Sequence, residues 1–98
     1  MKIKWSPLSI DRVTEIALYI ATDKVSAADK WIDSIFSAVE KLSKFPQSGR
    51  IVPEFKKENI RELIHGNYRI IYQVSQSEIE ILTVRHGKQL LEDNDILK

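Results

Sequence analysis

Ile60-Arg61-Glu62-Leu63-Ile64-His65-Gly66-Asn67-Tyr68-Arg69-Ile70-Ile71-Tyr72-Gln73-Val74 is the stretch on which the fold turns. Ile60 to His65 reads as a strand, Gly66-Asn67 supplies turn residues that tolerate positive φ, and Tyr68 to Val74 returns as a second strand. Tyr68, Ile70, Tyr72 and Val74 fall on one face by parity, with Arg69, Ile71 and Gln73 on the other. Ser75-Gln76-Ser77 turns the chain again into Glu78 to His86. That strand carries Ile79 and Ile81 on one face and Leu82 and Val84 on the other, which predicts a central strand. Upstream, Pro46-Gln47-Ser48-Gly49 is a turn, and Arg50 to Glu54 is a short edge segment limited by Pro53.

Before Phe45 the apolar spacing is helical. Lys2-Ile3-Lys4-Trp5 alternates as a short half-buried strand, and Ser6-Pro7 opens a helix with a capping oxygen and a residue that needs no donor. Ile10, Val13, Ile16, Ala17 and Ile20 form one stripe through about Ala21. Ser26-Ala27-Ala28-Asp29 reads as the capped start of a second helix, whose stripe is Ala28, Trp31, Ile32, Ile35, Phe36, Val39 and Leu42 and which Pro46 stops. A connection of about four residues makes the pair an antiparallel hairpin. The expected fold is α+β, in the order β-α-α-β-β-β, with the helical hairpin packed on one face of a small antiparallel sheet and the other face open. The expected core is Trp5, Val13, Ile16, Ile20, Ile32, Ile35, Val39, Leu42, Ile70, Tyr72, Ile79 and Ile81. Nothing in the tail from Gln89 to Leu97 chooses between a short helix and a mobile end.

Composition narrows the function. The 98 residues hold 15 Lys+Arg, 14 Asp+Glu and no cysteine, for a net charge of +1. That is one domain, 1–98, near the lower size limit for a self-sufficient core, so a partner that covers apolar surface would matter to it. No apolar run approaches the ~20 residues of a membrane span. The N-terminus lacks the features of a secretory signal, and the absence of cysteine fits a reducing compartment, so a cytoplasmic location is expected. A near-zero net charge gives no global case for nucleic-acid binding.

Metal, nucleotide and serine-hydrolase chemistry lack their motifs. His65 and His86 are the only histidines, with no ligand-spaced partners, and no glycine-rich phosphate loop occurs. No metal or cofactor is expected. The constellation that remains is Glu54, Arg61, Arg69, Arg85, His86 and Lys88 on adjacent strands. Arg69 stands inside an apolar run, an expensive place for a guanidinium unless it faces an open side or has a partner. Arg85 and His86 follow one another and so point to opposite faces. Such a set could clamp a phosphate and move a proton, the minimum for cutting RNA through its own 2′-hydroxyl, or it could be cross-strand ion pairing and nothing more.

In order and spacing, Ile20-Ala21, Ala27-Ala28, Trp31, Phe45-Pro46-x-x-Gly49-Arg50, Val52-Pro53-Glu54, Ile60-Arg61-Glu62-Leu63, Tyr68-Arg69-Ile70-Ile71-Tyr72 and Val84-Arg85-His86-Gly87 resemble the RelE/ParE superfamily of type II toxin-antitoxin toxins. The resemblance covers nearly the whole chain. It implies a cytoplasmic growth-arresting toxin, neutralised in a hetero-oligomer by a cognate antitoxin that wraps an extended segment and a helix around it. In the mRNA interferase branch, which cuts mRNA on the ribosome, Arg69 and Arg85 would hold the scissile phosphate while Glu54 and His86 move protons. Lys56 and Lys57 answer only loosely to the lysine pair used by other members, and no tyrosine follows Tyr72. In the ParE branch, which poisons DNA gyrase without chemistry of its own, Arg61, Arg69, Arg85 and Lys88 would form a contact surface. The long helical hairpin and the Val-x-His-Gly end of the last strand favour the ParE branch. A third reading keeps the antitoxin-binding fold without toxicity.

Overall fold

The computed structural model describes residues 1–87 and Leu91. Strand β1 (Lys2–Trp5) leads into helices α1 (Pro7–Asp23) and α2 (Val25–Glu40), and one 3-10 turn (Lys41–Ser43) ends the hairpin. Four strands follow, β2 (Arg50–Ile51), β3 (Ile60–His65), β4 (Tyr68–Val74) and β5 (Glu78–His86). They form one five-stranded sheet in the order β1-β5-β4-β3-β2. The expected α+β order is present, with one refinement: β1 lies parallel to β5, so the sheet is mixed. Strands β1 and β5 are separated in sequence by the whole hairpin and by β2, β3 and β4, so no tight turn forces them to run antiparallel. No helix among the described residues is long and apolar enough to cross a membrane.

Ser6 caps α1 as its sequence indicates, accepting from Ser9 N at 3.0 Å, and Pro7 takes the first helical position. Ser6 also ties the helix to the sheet. Its N–H donates to Ile81 O at 3.0 Å and its hydroxyl donates to Leu82 O at 2.9 Å. The second cap is a correction. Helix α1 runs to Asp23 and α2 starts at Val25, so the hairpin turns at Lys24 alone and Ser26 lies inside the helix without capping it. The extended backbone of Lys24, φ −154°, makes so short a joint possible.

On the helix side, Val13, Ile35, Val39, Leu42, Ile70, Tyr72, Ile79, Ile81 and Val84 form the main core. Trp5 and Ile16 only flank it, Ile20 and Ile32 are half-buried, and Ile10 is exposed. Burial of each large side chain here contributes about 1.5–3 kcal/mol. Val84 belongs with Ile79 and Ile81 rather than with Leu82. A bulge between β4 and β5 sets Tyr72 opposite Ile81 and Ile71 opposite Thr83, so Leu82 is the extra residue and parity switches after it.

The opposite face is not open. Val52, Ile60, Ile71, Leu82 and Leu91 form a second buried cluster with Phe55 against it. The 52–59 loop and Leu91 therefore cover the face that the sequence pattern leaves open. The rest of the segment from 88 to 98 lies outside the described residues, and with it the question of a C-terminal helix.

Candidate functional site

Beneath that cover, Arg69 is 5% exposed and held by two carboxylates. Its Nη1 and Nη2 donate to Glu54 Oε2 and Oε1, both at 2.8 Å, and its Nε donates to Glu62 Oε1 at 2.5 Å. Arg50 Nε reaches the other Glu62 oxygen at 2.5 Å, and Leu91 N donates to Glu54 Oε2 at 3.1 Å. The chain Glu54-Arg69-Glu62-Arg50 thus ties the 52–59 loop, β4, β3 and β2 together. Hydrogen bonding from Arg69 holds the Glu54 carboxyl down at about 2, against its desolvation, and the reciprocal bond raises the Arg69 guanidinium. A carboxyl held so low is ionised at neutral pH yet accepts a proton poorly.

Glu62 joins the network without having been singled out from sequence. It shares the outer face with Ile60, two residues before it, and pairs across the sheet with Ile71. A carboxylate on an apolar strand face two residues from a buried isoleucine was the available signal.

The other residues go elsewhere. Arg61 donates from Nη1 to Gly49 O at 2.9 Å, at the turn that leads into β2. Gly49 lies against the backbone carbonyl of Glu62, and a Cβ there would come within 2.6 Å of the Tyr72 hydroxyl, so only glycine fits. The Tyr72 hydroxyl accepts from Gly49 N and donates to Pro46 O, each at 2.9 Å, and burial pushes its ionisation up. Here the Pro46-x-x-Gly49-Arg50 segment acquires a physical meaning. Its turn is pinned by Tyr72, its glycine permits close approach, and its arginine reaches Glu62.

Arg85 pairs in register with Arg69, and His86 with Tyr68. The His86 ring meets Tyr68 edge-on at 5.7 Å, and Tyr68 meets Trp31 of α2 at 5.3 Å. Lys88 lies outside the described residues. Glu54 and Arg69 are therefore brought into direct contact, Arg85 stands across the strand pair from them, and Arg61 and His86 are held by other partners.

The family model for the ParE toxin of the type II toxin-antitoxin system, parDE, matches residues 3–91. The chain belongs to the ParE toxin family. A curated relative from Sinorhizobium fredii, named "Putative toxin Y4kP", is 36% identical over 90 residues, 90% of each chain. A solved structure from the chromosomal ParDE TA system of P. aeruginosa superposes with a TM-score of 0.75 at 21% identity, covering 90% of this chain and 97% of that one. That likeness extends to the fold. It places this ParE-family toxin's hairpin and mixed sheet in known company, while the ion-pair chain above is read from its own residues. Among the described residues no group of three His, Cys, Asp or Glu could hold a metal ion.

Proposed function

We propose that this ParE-family toxin arrests growth by binding DNA gyrase, that it acts in the cytoplasm, and that a cognate antitoxin neutralises it in a hetero-oligomer. The observation that carries the gyrase reading over RNA cleavage is the pairing of Glu54 with Arg69. The guanidinium that would hold a scissile phosphate has Nε and both terminal nitrogens engaged by carboxylates. The carboxylate that would take a proton sits at about 2, far from the neutral range where a general base works best. Freeing Arg69 for RNA would also leave Glu54 and Glu62 facing one another with no cation between them, at a cost of several kcal/mol. Proton transfer by Glu54 is thus disfavoured twice.

On this reading Arg69 organises the surface from below, and contact with the target falls to residues nearer solvent, Arg85 among them. The apolar residues left exposed on the hairpin, Leu18, Val25 and Phe36, suit an antitoxin that covers apolar surface. Pulse-labelling after induction in a host without the antitoxin tests the target. Thymidine incorporation should stop before amino-acid incorporation. The reverse order would return Glu54, Arg69, Arg85 and His86 to catalytic candidacy in ribosome-dependent mRNA cleavage.

A further inference from the structure

A groove of about 560 Å³ runs between α1 and α2. Small residues, Ala17, Ala21 and Ala28, line it together with Ile10, Leu18, Val25 and Phe36, and Trp5 meets Phe36 edge-on at 5.0 Å at one end. Leu18 and Val25 are each 65% exposed, and Ile10 and Phe36 are exposed as well. Single apolar side chains on a surface are ordinary, but a set of them around one concavity marks a place for a partner. The groove is walled by helices whose backbone groups bond internally, so an extended segment laid in it would leave its own N–H and C=O groups unmet. A helix satisfies its own. Ile10 to Ala21 covers about 16 Å at the helical rise, which sets the occupant at about three turns.

Charge along the rim defines that occupant further. Asp29 lines the groove, and Asp33 and Glu40 follow it at helical spacing on the same edge of α2. On the opposite edge, Asp11 stands in line with Leu18 and Thr22 of α1. All these carboxylates are on exposed residues, and among the described residues none of them forms an ion pair. The cations of the hairpin lie elsewhere. Arg12 faces the β5 side of α1 with Tyr68 and His86, Lys30 points about 100° further round α2 than Asp29, and Lys24 marks the turn. A chain with a net charge of +1 thus carries a negative field along its apolar groove.

We propose that this groove receives an amphipathic helix of the antitoxin, with lysine or arginine on both edges of its apolar face to meet Asp29 and Asp33 on α2 and Asp11 on α1. The proposal rests on the neutralisation reading and adds to it the length and charge of the bound helix. A second copy of this chain fits less well, since it would set the same carboxylates face to face, and an anionic lipid surface would be repelled. Apolar contacts supply the affinity and the carboxylates the choice of partner, because exposed ion pairs are individually weak.

The test is equilibrium binding of the full chain to two synthetic peptides of about three turns, each cross-linked to hold it helical. Both carry the same leucine-alanine face, one edged with lysine and the other with glutamate. The lysine-edged peptide should bind at least about tenfold more tightly, an advantage that shrinks as salt is raised. The triple variant Asp11→Asn/Asp29→Asn/Asp33→Asn, changed only at exposed positions, should lose most of that advantage. Leu18→Ser should weaken both peptides by about tenfold, and Lys30→Gln should change binding by less than about twofold. Equal binding of the two peptides, a preference for glutamate, no binding of either, or a triple variant that discriminates as the wild type does would each overturn the proposal. Co-expression with the antitoxin separates the proposal from the reading beneath it. The triple variant should arrest growth as the wild type does and require about tenfold more antitoxin for relief. An antitoxin that neutralises both chains alike would leave neutralisation standing and overturn the groove as its charge-selected site, and one that binds neither chain would remove both.

Discussion

On the helix side of the sheet, Ile35, Leu42, Ile70, Ile79 and Ile81 are shut off from solvent within an apolar cluster. On the opposite side the strands are covered by a loop and by Leu91 and cross-linked by Glu54, Arg69, Glu62 and Arg50. The contrast lies in what each face tolerates. An apolar interface loses stability in proportion to the volume removed and accepts swaps of similar size. An ionic one depends on its central member, since removing Arg69 leaves Glu54 without a cation and Glu62 with Arg50 alone. On the proposed reading the carboxylate-guanidinium pair belongs to the second, ionic kind of interface.

Arg69→Ala should break the comparison hardest. It leaves Glu54 and Glu62 without their shared cation and should cost about 3–5 kcal/mol in urea unfolding. Replacing Glu54, Glu62 and Arg69 together by Leu, Leu and Met should recover most of that loss. If the single variant were as stable as the wild type, the network would have no structural role. Ile35→Ala on the helix side should cost about 3 kcal/mol, and its effect should be the same at pH 3 and pH 7, because no charge is involved.

The pH dependence separates the faces further. Glu54 is held at about 2 in the folded chain against an ordinary 4.5, chiefly by its hydrogen bond to Arg69. Its contribution is therefore complete above about 4.5 and drains away as pH falls toward about 2, on the order of 3 kcal/mol in all. Comparison of wild type with Glu54→Gln by denaturant titration should show the gap in stability closing across that window. The smallest effect belongs to the point where α1 meets the bulge. Ser6→Ala removes a cap and the donor to Leu82 O, and should lower stability by about 1–2 kcal/mol.

Much of the helix face was legible because it rests on periodicity. Val13, Ile35, Val39, Leu42, Ile70, Tyr72, Ile79 and Ile81 recur at helical or alternating spacing, and each is buried there. The bulge was not legible, since Leu82, Thr83 and Val84 continue an acceptable strand pattern whichever one is extra. What locates it is Ser6, distant in sequence, which takes the carbonyls of Ile81 and Leu82. Ser26 misled for a related reason. A capping residue type marks where a helix can begin, but the extended Lys24 lets α2 begin earlier. Arg69's apolar neighbours called for an open face or a partner, and the fold supplies the partner in Glu54, a member of the same sequence constellation. The outer cover was not foreseen, because a loop containing Pro53, Lys56, Lys57 and Glu58 gives little sign that Val52 is wholly buried within it.

The most direct test of the whole account uses one preparation of the protein in two parallel reactions, DNA supercoiling by purified gyrase and ribosome-dependent translation of a defined mRNA. A gyrase-binding toxin without proton-transfer chemistry predicts that supercoiling stops while the mRNA stays intact. Cleaved mRNA beside unimpaired gyrase would contradict it.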